Sequence, residues 1–260
     1  MRGGTSPLLT LADSPRSIPL PMPWWYRGDA VHLVAGPKAD VVKDLSGNGH
    51  DSLQATDANR WAWSATSGPN GTPGLTGTGT QFSVTAGNVD LSAATKITII
   101  FVMTPGVLDA GGTDTVVSNQ SGVSNLGIDM ESFESGTDSF EIFAASPPIN
   151  PPFSITQSTN PAPARSPVIV EASCDQSLVT NQGEVWINGI LNAQARPANG
   201  QSTGGFQSLP LNLGKNINVP TQCLKGVLAD CFAYIGLLTA QQRQNLYRGY
   251  LGPRYGIVVP

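Results

Sequence analysis

Charged side chains are scarce in this chain of 260 residues. Only 12% are Asp, Glu, Lys or Arg, against about a quarter in a typical soluble domain. Lysine and arginine form no cluster, and the net charge is −4. Because binding to DNA or RNA depends on a basic surface that releases counterions, the composition excludes nucleic acid as a direct ligand.

Long apolar runs are missing as well. No segment approaches the ~20 residues that span a bilayer. The first residues, MRGGTSPLLTLADSPR, hold one short apolar stretch that Pro7 interrupts and Asp13 closes, which makes a poor signal peptide. We therefore expect no membrane partner and no secretion by this route.

Cysteine is rare and odd in number. Cys174, Cys223 and Cys231 have neither the spacing of zinc ligands nor the even count of a disulfide framework. They are predicted to be buried thiols.

Glycine, proline and small polar residues take the place of charge. With 29 Gly and 21 Pro, the composition is typical of short strands joined by many turns. Segment 96–103 (KITIIFVM) is apolar on both faces, as in a strand at the centre of a sandwich. Further strands are predicted over residues 139–144, 167–173 and 226–238, and a long proline-rich loop over 144–167.

Two local motifs are specific. Asn188-Gly189, inside GEVWINGILNAQA, is the favoured pair for a two-residue hairpin turn. Thr239 and Gln242 have the spacing of a capping box, so a C-terminal helix is predicted to begin there and to end at Gly252 and Pro253.

Residues 1–24 are predicted to form an extended proline-rich arm. Five prolines separate short apolar fragments that follow no helical or strand period, and proline favours extended chain. We expect this arm to clamp a neighbouring subunit, and its removal to leave the sandwich of residues 25–260 folded. The anchors would be apolar side chains: Leu8, Leu9, Ile18, Leu20 and Met22.

Several segments resemble, in order, the concanavalin A-like lectin/glucanase superfamily, in the laminin-G-like form found in tailed-phage structural proteins. They are WWYRGDAV, DLSGNGHD, NGTPGLTGTGTQF, ITIIFVMT, GEVWINGIL and LKGVLADCFAYIGLLTAQQRQNLYRGYLGPRYGI. The resemblance implies an all-β antiparallel jelly-roll β-sandwich with one short C-terminal helix. It implies no single function, because this fold hosts enzymes, sugar binders and scaffolds.

The segment DLSGNGHD (44–51) leaves two interpretations open. Asp44, Ser46 and Asn48 alternate as oxygen ligands do in a calcium loop, although Ala55 stands where the closing Glu would be. In the other interpretation the acid and amide bond their own main chain in a tight turn, with both glycines at positive φ. A bound calcium would be structural, and no other cofactor is expected.

Catalysis is not expected. Glucanases that share this fold carry E-x-D-x-x-E on one strand, but in GIDMESFE the first Glu is replaced by Gly127. Asp129, Glu131 and Glu134 remain, without the nucleophile of a retaining glycosidase, which needs two carboxyls about 5–5.5 Å apart. Asp230 interrupts an apolar strand, and a carboxylate buried there must be hydrogen-bonded or paired.

Other residues have both a binding and a structural interpretation. Trp61 and Trp63, with Trp186, could form a platform for stacking sugars, although most tryptophans in a sandwich of this size belong to the core. The RGD tripeptide at residues 27–29 is interpreted as part of the packed opening segment. His32 and His50 are predicted to be surface or turn residues.

Three function classes follow. The favoured one is a non-enzymatic structural protein of a tailed-phage virion, a capsid decoration or tail-associated protein assembled in the host cytoplasm with other virion proteins and able to homo-oligomerise. The second is a carbohydrate-binding module for host recognition, with a glycan as partner. The third, a glycoside hydrolase, is the least favoured.

Overall fold

Sixteen antiparallel strands dominate the part of the chain that the computed structural model describes, which is residues 14–34, 36–106, 113–120, 127–134, 138–145, 153–156, 165–178, 182–195, 204–219 and 221–260. The strands are β1 (Trp25–Leu33), β2 (Lys38–Asp44), β3 (Ser52–Leu53), β4 (Trp61–Ser64), β5 (Gly74–Thr78), β6 (Ser83–Asp90), β7 (Lys96–Pro105), β8 (Thr113–Gln120), β9 (Gly127–Glu134), β10 (Asp138–Ala145), β11 (Phe153–Thr156), β12 (Val168–Asp175), β13 (Gly183–Ile187), β14 (Ile190–Ala195), β15 (Ser208–Leu213) and β16 (Lys225–Ile235).

The strands join in one path that folds over on itself. Its order is β11-β10-β9-β8-β15-β6-β3-β2-β4-β5-β16-β7-β12-β13-β14, with β1 paired to β16 and β2. Strand β10 lies against β12 and β13, and the rings of Phe101 and Phe140 meet edge to face with centroids 5.7 Å apart. The predicted all-β antiparallel sandwich is confirmed.

Strand β7 is buried on both faces, as its sequence predicts. Ile97, Ile99 and Phe101 point into the sandwich core. Ile100 and Val102 belong to a second apolar cluster, on the outer face of β7, β12 and β16. The C-terminal helical segment covers this outer cluster, which explains why the strand has no polar face.

The predicted hairpin and helix start are confirmed. Asn188 and Gly189 have φ of 50° and 83°, as a turn with two left-handed positions requires. The Thr239 side chain accepts a bond from the Gln242 amide, and the Gln242 side chain accepts one from the Thr239 amide. Helix α1 (Ala240–Leu246) is also tied to β12, because Arg243 makes bonds of 2.7–3.0 Å to the buried carboxylate of Glu171.

The predicted helix end is wrong. A wide π-type turn (Tyr247–Leu251) follows α1, and a second helix α2 (Gly252–Tyr255) begins at the predicted stop. Pro253 lies in the first turn of α2, and the backbone stays right-handed helical through Leu251 and Gly252 at the junction with the π-type turn. Gly256, with φ of 65°, ends the helix.

The prediction that the arm clamps a neighbouring subunit is wrong for residues 14–24, because they pack on the chain's own sandwich. Ile18 is 7% exposed and belongs to the outer cluster, and Leu20 and Met22 pack against it. The Tyr234 hydroxyl donates to the Pro15 carbonyl (2.8 Å), and the Ile235 amide donates to the carbonyl of residue 21 (2.8 Å). The apolar outer face of the sheet thus offers this segment a surface within the same chain. Leu8 and Leu9 lie outside the described residues.

The three cysteines are buried and form no disulfide, as predicted. In the described part of the chain, no helix is long and apolar enough to cross a membrane.

Candidate functional site

An open groove of about 600 Å³ lies where residues 21–23, the 44–51 loop and the end of β6 meet. Its apolar wall comes from the N-terminal segment and from the ends of two strands: Pro21, Met22, Pro23, Val89 and Ile235. Its polar lining combines hydroxyl, amide, imidazole and carboxylate groups: Ser46, Asn48, His50, Asn88 and Asp90.

The 44–51 loop builds one side of the groove around a single carboxylate. Asp44 Oδ1 accepts from the amides of Trp25 (3.0 Å) and Ser46 (2.9 Å). Its Oδ2 accepts from the Ser46 hydroxyl (2.7 Å) and the His50 amide (3.0 Å). Gly47 and Gly49 have φ of 96° and 77°, which lets the chain close around Asp44.

This geometry fits the turn interpretation of the loop. Four donors occupy the oxygens of Asp44, and the Asn48 amide donates to Ser46 Oγ (3.2 Å). A calcium ion on Asp44, Ser46 and Asn48 would have to displace these donors. The described residues contain no group of three His, Cys, Asp or Glu side chains placed to hold a metal ion.

Both asparagines of the groove have their NH₂ groups engaged by main-chain carbonyls. Asn48 Nδ2 donates to the carbonyls of Met22 (2.7 Å) and Pro23 (3.2 Å), so it also fastens the N-terminal segment to the loop. Asn88 Nδ2 donates to the carbonyl of Ser208 (2.9 Å). Asn48 has its Oδ1 acceptor left for a ligand, whereas Asn88 has Oδ1 and the second N–H of its NH₂ group.

Asp90 adds an ionised acceptor. Its Oδ1 accepts from the Ser92 hydroxyl (2.6 Å) and amide (3.0 Å). These bonds from Ser92 hold the pKa of the exposed carboxyl below its ordinary value, and Ser208 lowers it further. Both Ser92 bonds fall on Oδ1, which leaves acceptor capacity on Oδ2.

His50 is held by its main chain rather than by its ring. Its amide donates to Asp44, and its carbonyl accepts from the Tyr26 hydroxyl (2.6 Å). The imidazole lines the groove and has no hydrogen bond to another described residue.

The predicted tryptophan platform is not formed. Trp61 is fully buried, and its indole donates to the Ser83 hydroxyl (3.2 Å), so it has no face to offer a sugar and its predicted role is wrong. Trp63 is half-buried and donates to the Gly28 carbonyl (2.7 Å). The Arg243 guanidinium lies over the ring of Trp186, 3.9 Å from the ring centroid. Trp186 lines a separate cleft of about 190 Å³.

Asp230 has the buried hydrogen bonds that its sequence context requires. Its Oδ1 accepts from the Trp25 indole (2.8 Å), and its Oδ2 accepts from the hydroxyls of Tyr250 (2.9 Å) and Tyr255 (2.8 Å). Burial raises its pKa to about 6, against the opposing effect of these donors. The group joins β1, β16 and the C-terminal helices and has a structural role.

The acidic segment GIDMESFE, which differs from the glucanase motif at Gly127, forms strand β9 (Gly127–Glu134). The side chains of Asp129, Glu131 and Glu134 lie outside the described part of the structure.

The RGD tripeptide lies within β1, where Arg27 and Asp29 form an ion pair and Arg254 also bonds Asp29 (3.0 Å). His32 is exposed and bonds Asp40 (2.7 Å). Both placements agree with the structural interpretations.

Comparison with known proteins shows the fold alone. No family model and no curated protein matches the chain. Domain 4 of the GH43 arabinanase AbnA of Geobacillus stearothermophilus, in complex with arabinotriose, is similar with a TM-score of 0.56 and 17% identity, over 88% of this chain and 98% of that one. The binding domain of botulinum neurotoxin serotype G is similar with a TM-score of 0.61 and 13% identity, over 87% of this chain and 50% of that one. Trypanosoma rangeli sialidase in complex with a difluorosialic acid is similar with a TM-score of 0.55 and 13% identity, over 89% of this chain and 33% of that one. The chain thus spans about a third of the sialidase and half of the toxin domain.

Sequence reasoning singled out the loop but missed the other side of the groove. Asn88 and Asp90 end a strand about 40 residues after the loop, and no motif marks them. Only the pairing of β6 with β3 and β15 brings them to the same edge.

Proposed function

We propose that the chain is a non-enzymatic carbohydrate-binding module that holds a glycan in the groove. The observation that carries the proposal is the groove's lining, in which amide, carboxylate, hydroxyl and imidazole groups face an apolar wall of Met22 and prolines. Sugars combine hydroxyl groups with apolar C–H faces, and a site of this mixed composition matches both.

One similar structure supports the proposal through its own ligand. The arabinanase domain, which this chain matches over nearly its whole length, is in complex with arabinotriose. With an identity of 17%, this ligand favours a class of partner and identifies no particular sugar.

The virion role stays a prediction. Its support is the family resemblance, while the packing of residues 14–24 on the chain's own sandwich removes part of the proposed clamp. Binding to other virion proteins, homo-oligomerisation and location in a virion are likewise predictions. A host-recognition module on a virion would unite this prediction with glycan binding.

A glycan array followed by calorimetry tests the proposal. His50→Ala removes the groove's imidazole but keeps the main-chain bonds of residue 50 to Asp44 and Tyr26. We expect it to weaken binding roughly tenfold, as does the loss of one or two bonds to a ligand. The matched control is His32→Ala, which removes the chain's other histidine outside the groove.

Equal affinities for the His50→Ala and His32→Ala proteins, or an array without a bound glycan, would reject the groove as a sugar site. Circular dichroism of both variants shows that the comparison is made on folded protein.

A further inference from the structure

The groove carries negative charge and no cation of its own. Of its described lining residues, Asp90 is ionised, and none is lysine or arginine. The cations beside the loop are engaged elsewhere: Lys43 pairs with Asp51 (2.6 Å), and Arg16 donates to the Leu45 carbonyl. A ligand in the groove therefore meets a carboxylate without a compensating positive charge.

The hydrogen-bonding atoms left for a ligand are mostly acceptors. Both N–H donors of Asn48 Nδ2 and one of the two of Asn88 Nδ2 already bond main-chain carbonyls, and the Ser46 hydroxyl donates to Asp44. Oδ1 of each asparagine and Oδ2 of Asp90 keep the capacity to accept. The His50 imidazole is the groove's one ring with a nitrogen able to donate or accept.

We propose that the groove selects uncharged sugars, whose hydroxyls donate to this row of acceptors, and rejects sugars that carry a carboxylate. The inference rests on the proposed function and assigns the ligand class of the same site. A sugar hydroxyl can donate to one of these oxygens, whereas a ligand carboxylate only accepts, so it finds few donors and is repelled by Asp90.

The test compares matched pairs of oligosaccharides that differ in charge. Trigalacturonate is set against its fully methyl-esterified form and 3′-sialyllactose against the methyl ester of its sialic acid, with arabinotriose as a further neutral probe. We expect the carboxylated member of each bound pair to bind roughly three- to tenfold more weakly, the size of one like-charge contact near a surface. Raising NaCl from 0.02 to 0.5 M is expected to narrow this ratio, because salt screens the repulsion.

Asp90→Asn isolates the charge. The substitution keeps an oxygen that can accept the Ser92 bonds and should bring the two members of a pair within about twofold of each other. Asp57→Asn is the matched control, because Asp57 is an exposed carboxylate that pairs with Lys38 and Arg60 and does not line the groove. It is expected to leave the ratio unchanged.

The outcomes separate the two proposals. If carboxylated sugars bind as tightly as neutral ones and His50→Ala weakens both, the ligand class is wrong and the groove remains the site. If the neutral preference survives Asp90→Asn at every salt concentration, Asp90 does not cause the selection, and the inference is overturned. If no groove variant alters binding of any probe, the proposed function fails.

Discussion

At the scale of single residues, Asp230 is a fully buried carboxylate that accepts hydrogen bonds from three buried side chains. Replacing it with alanine leaves the Trp25 indole and the hydroxyls of Tyr250 and Tyr255 buried without their acceptor. Each unsatisfied buried donor costs about 1–3 kcal/mol. We therefore expect Asp230→Ala to lower the free energy of unfolding by roughly 3 kcal/mol or more, measured by urea denaturation.

Tyr255→Phe is the graded control for this prediction, because it removes one of the three donors and keeps the ring. It is expected to cost about 1 kcal/mol. An Asp230→Ala protein as stable as the wild type would show that the three bonds do not hold the C-terminal helices to the sheet.

Titration of the Asp230 carboxyl is expected to make the free energy of unfolding depend on pH. Burial raises the pKa of Asp230 to about 6, from 3.8 for an ordinary aspartate, so the folded state holds this proton more tightly than the unfolded state. The contribution of protonated Asp230 is fully present below about pH 4 and is lost as pH rises through about 6. We expect the stability of the wild type relative to Asp230→Asn to fall by roughly 2–3 kcal/mol between pH 4 and pH 7.

Urea unfolding of both proteins across this window measures the difference, in which the titration of all shared groups cancels. A difference that stays flat, or rises with pH, would mean that the three donors outweigh burial and hold the pKa at or below its ordinary value.

At the scale of elements, the N-terminal segment behaves as part of the sandwich from residue 14 onward. Ile18 is 7% exposed within the outer cluster, whereas Ile217 is 44% exposed. Ile18→Ala should therefore cost about 2 kcal/mol, at the lower end for a buried isoleucine. Ile217→Ala, the same change at an exposed site, should cost less than about 0.5 kcal/mol.

Chemical denaturation of the two variants measures this contrast. Equal small losses would mean that the segment is not docked on its own sandwich in solution, and the clamp on a neighbouring subunit would regain its support.

Local elements could be predicted from sequence because their causes are local. Asn188-Gly189 and the Thr239–Gln242 capping box each depend on residues within three positions of one another. The π-type turn that displaces the predicted helix end does not, because it sets Tyr250 and Tyr255 against Asp230, which lies 20 and 25 residues away. Trp61 is buried and its neighbour Ala62 is exposed, which likewise depends on which strands pack together. Alternating side chains lie on opposite faces of a strand, but their sequence does not indicate which face lies inside the sandwich.

At the scale of the whole molecule, the reactivity of the three buried cysteines measures how the sandwich unfolds. Cys174 and Cys231 are fully buried in β12 and β16, and burial raises the pKa of Cys231 to about 12. Cys223 is 4% exposed and lies in an isolated bridge with Lys215, outside the named strands. Because the thiolate is the reactive form and needs access to reagent, we expect Cys174 and Cys231 to react with Ellman's reagent only through global unfolding.

Cys223 should react at lower urea concentrations, since segments outside the sheet open locally at lower free energy than central strands. A Cys174→Ala, Cys231→Ala double variant isolates its rate, and Cys223→Ala isolates the rates of the other two. The opening free energy from the strand cysteines is expected to match the free energy of unfolding from circular dichroism. Fast labelling of either strand cysteine in native buffer would show that β12 or β16 opens separately, and that the two faces of the sheet do not unfold as one unit.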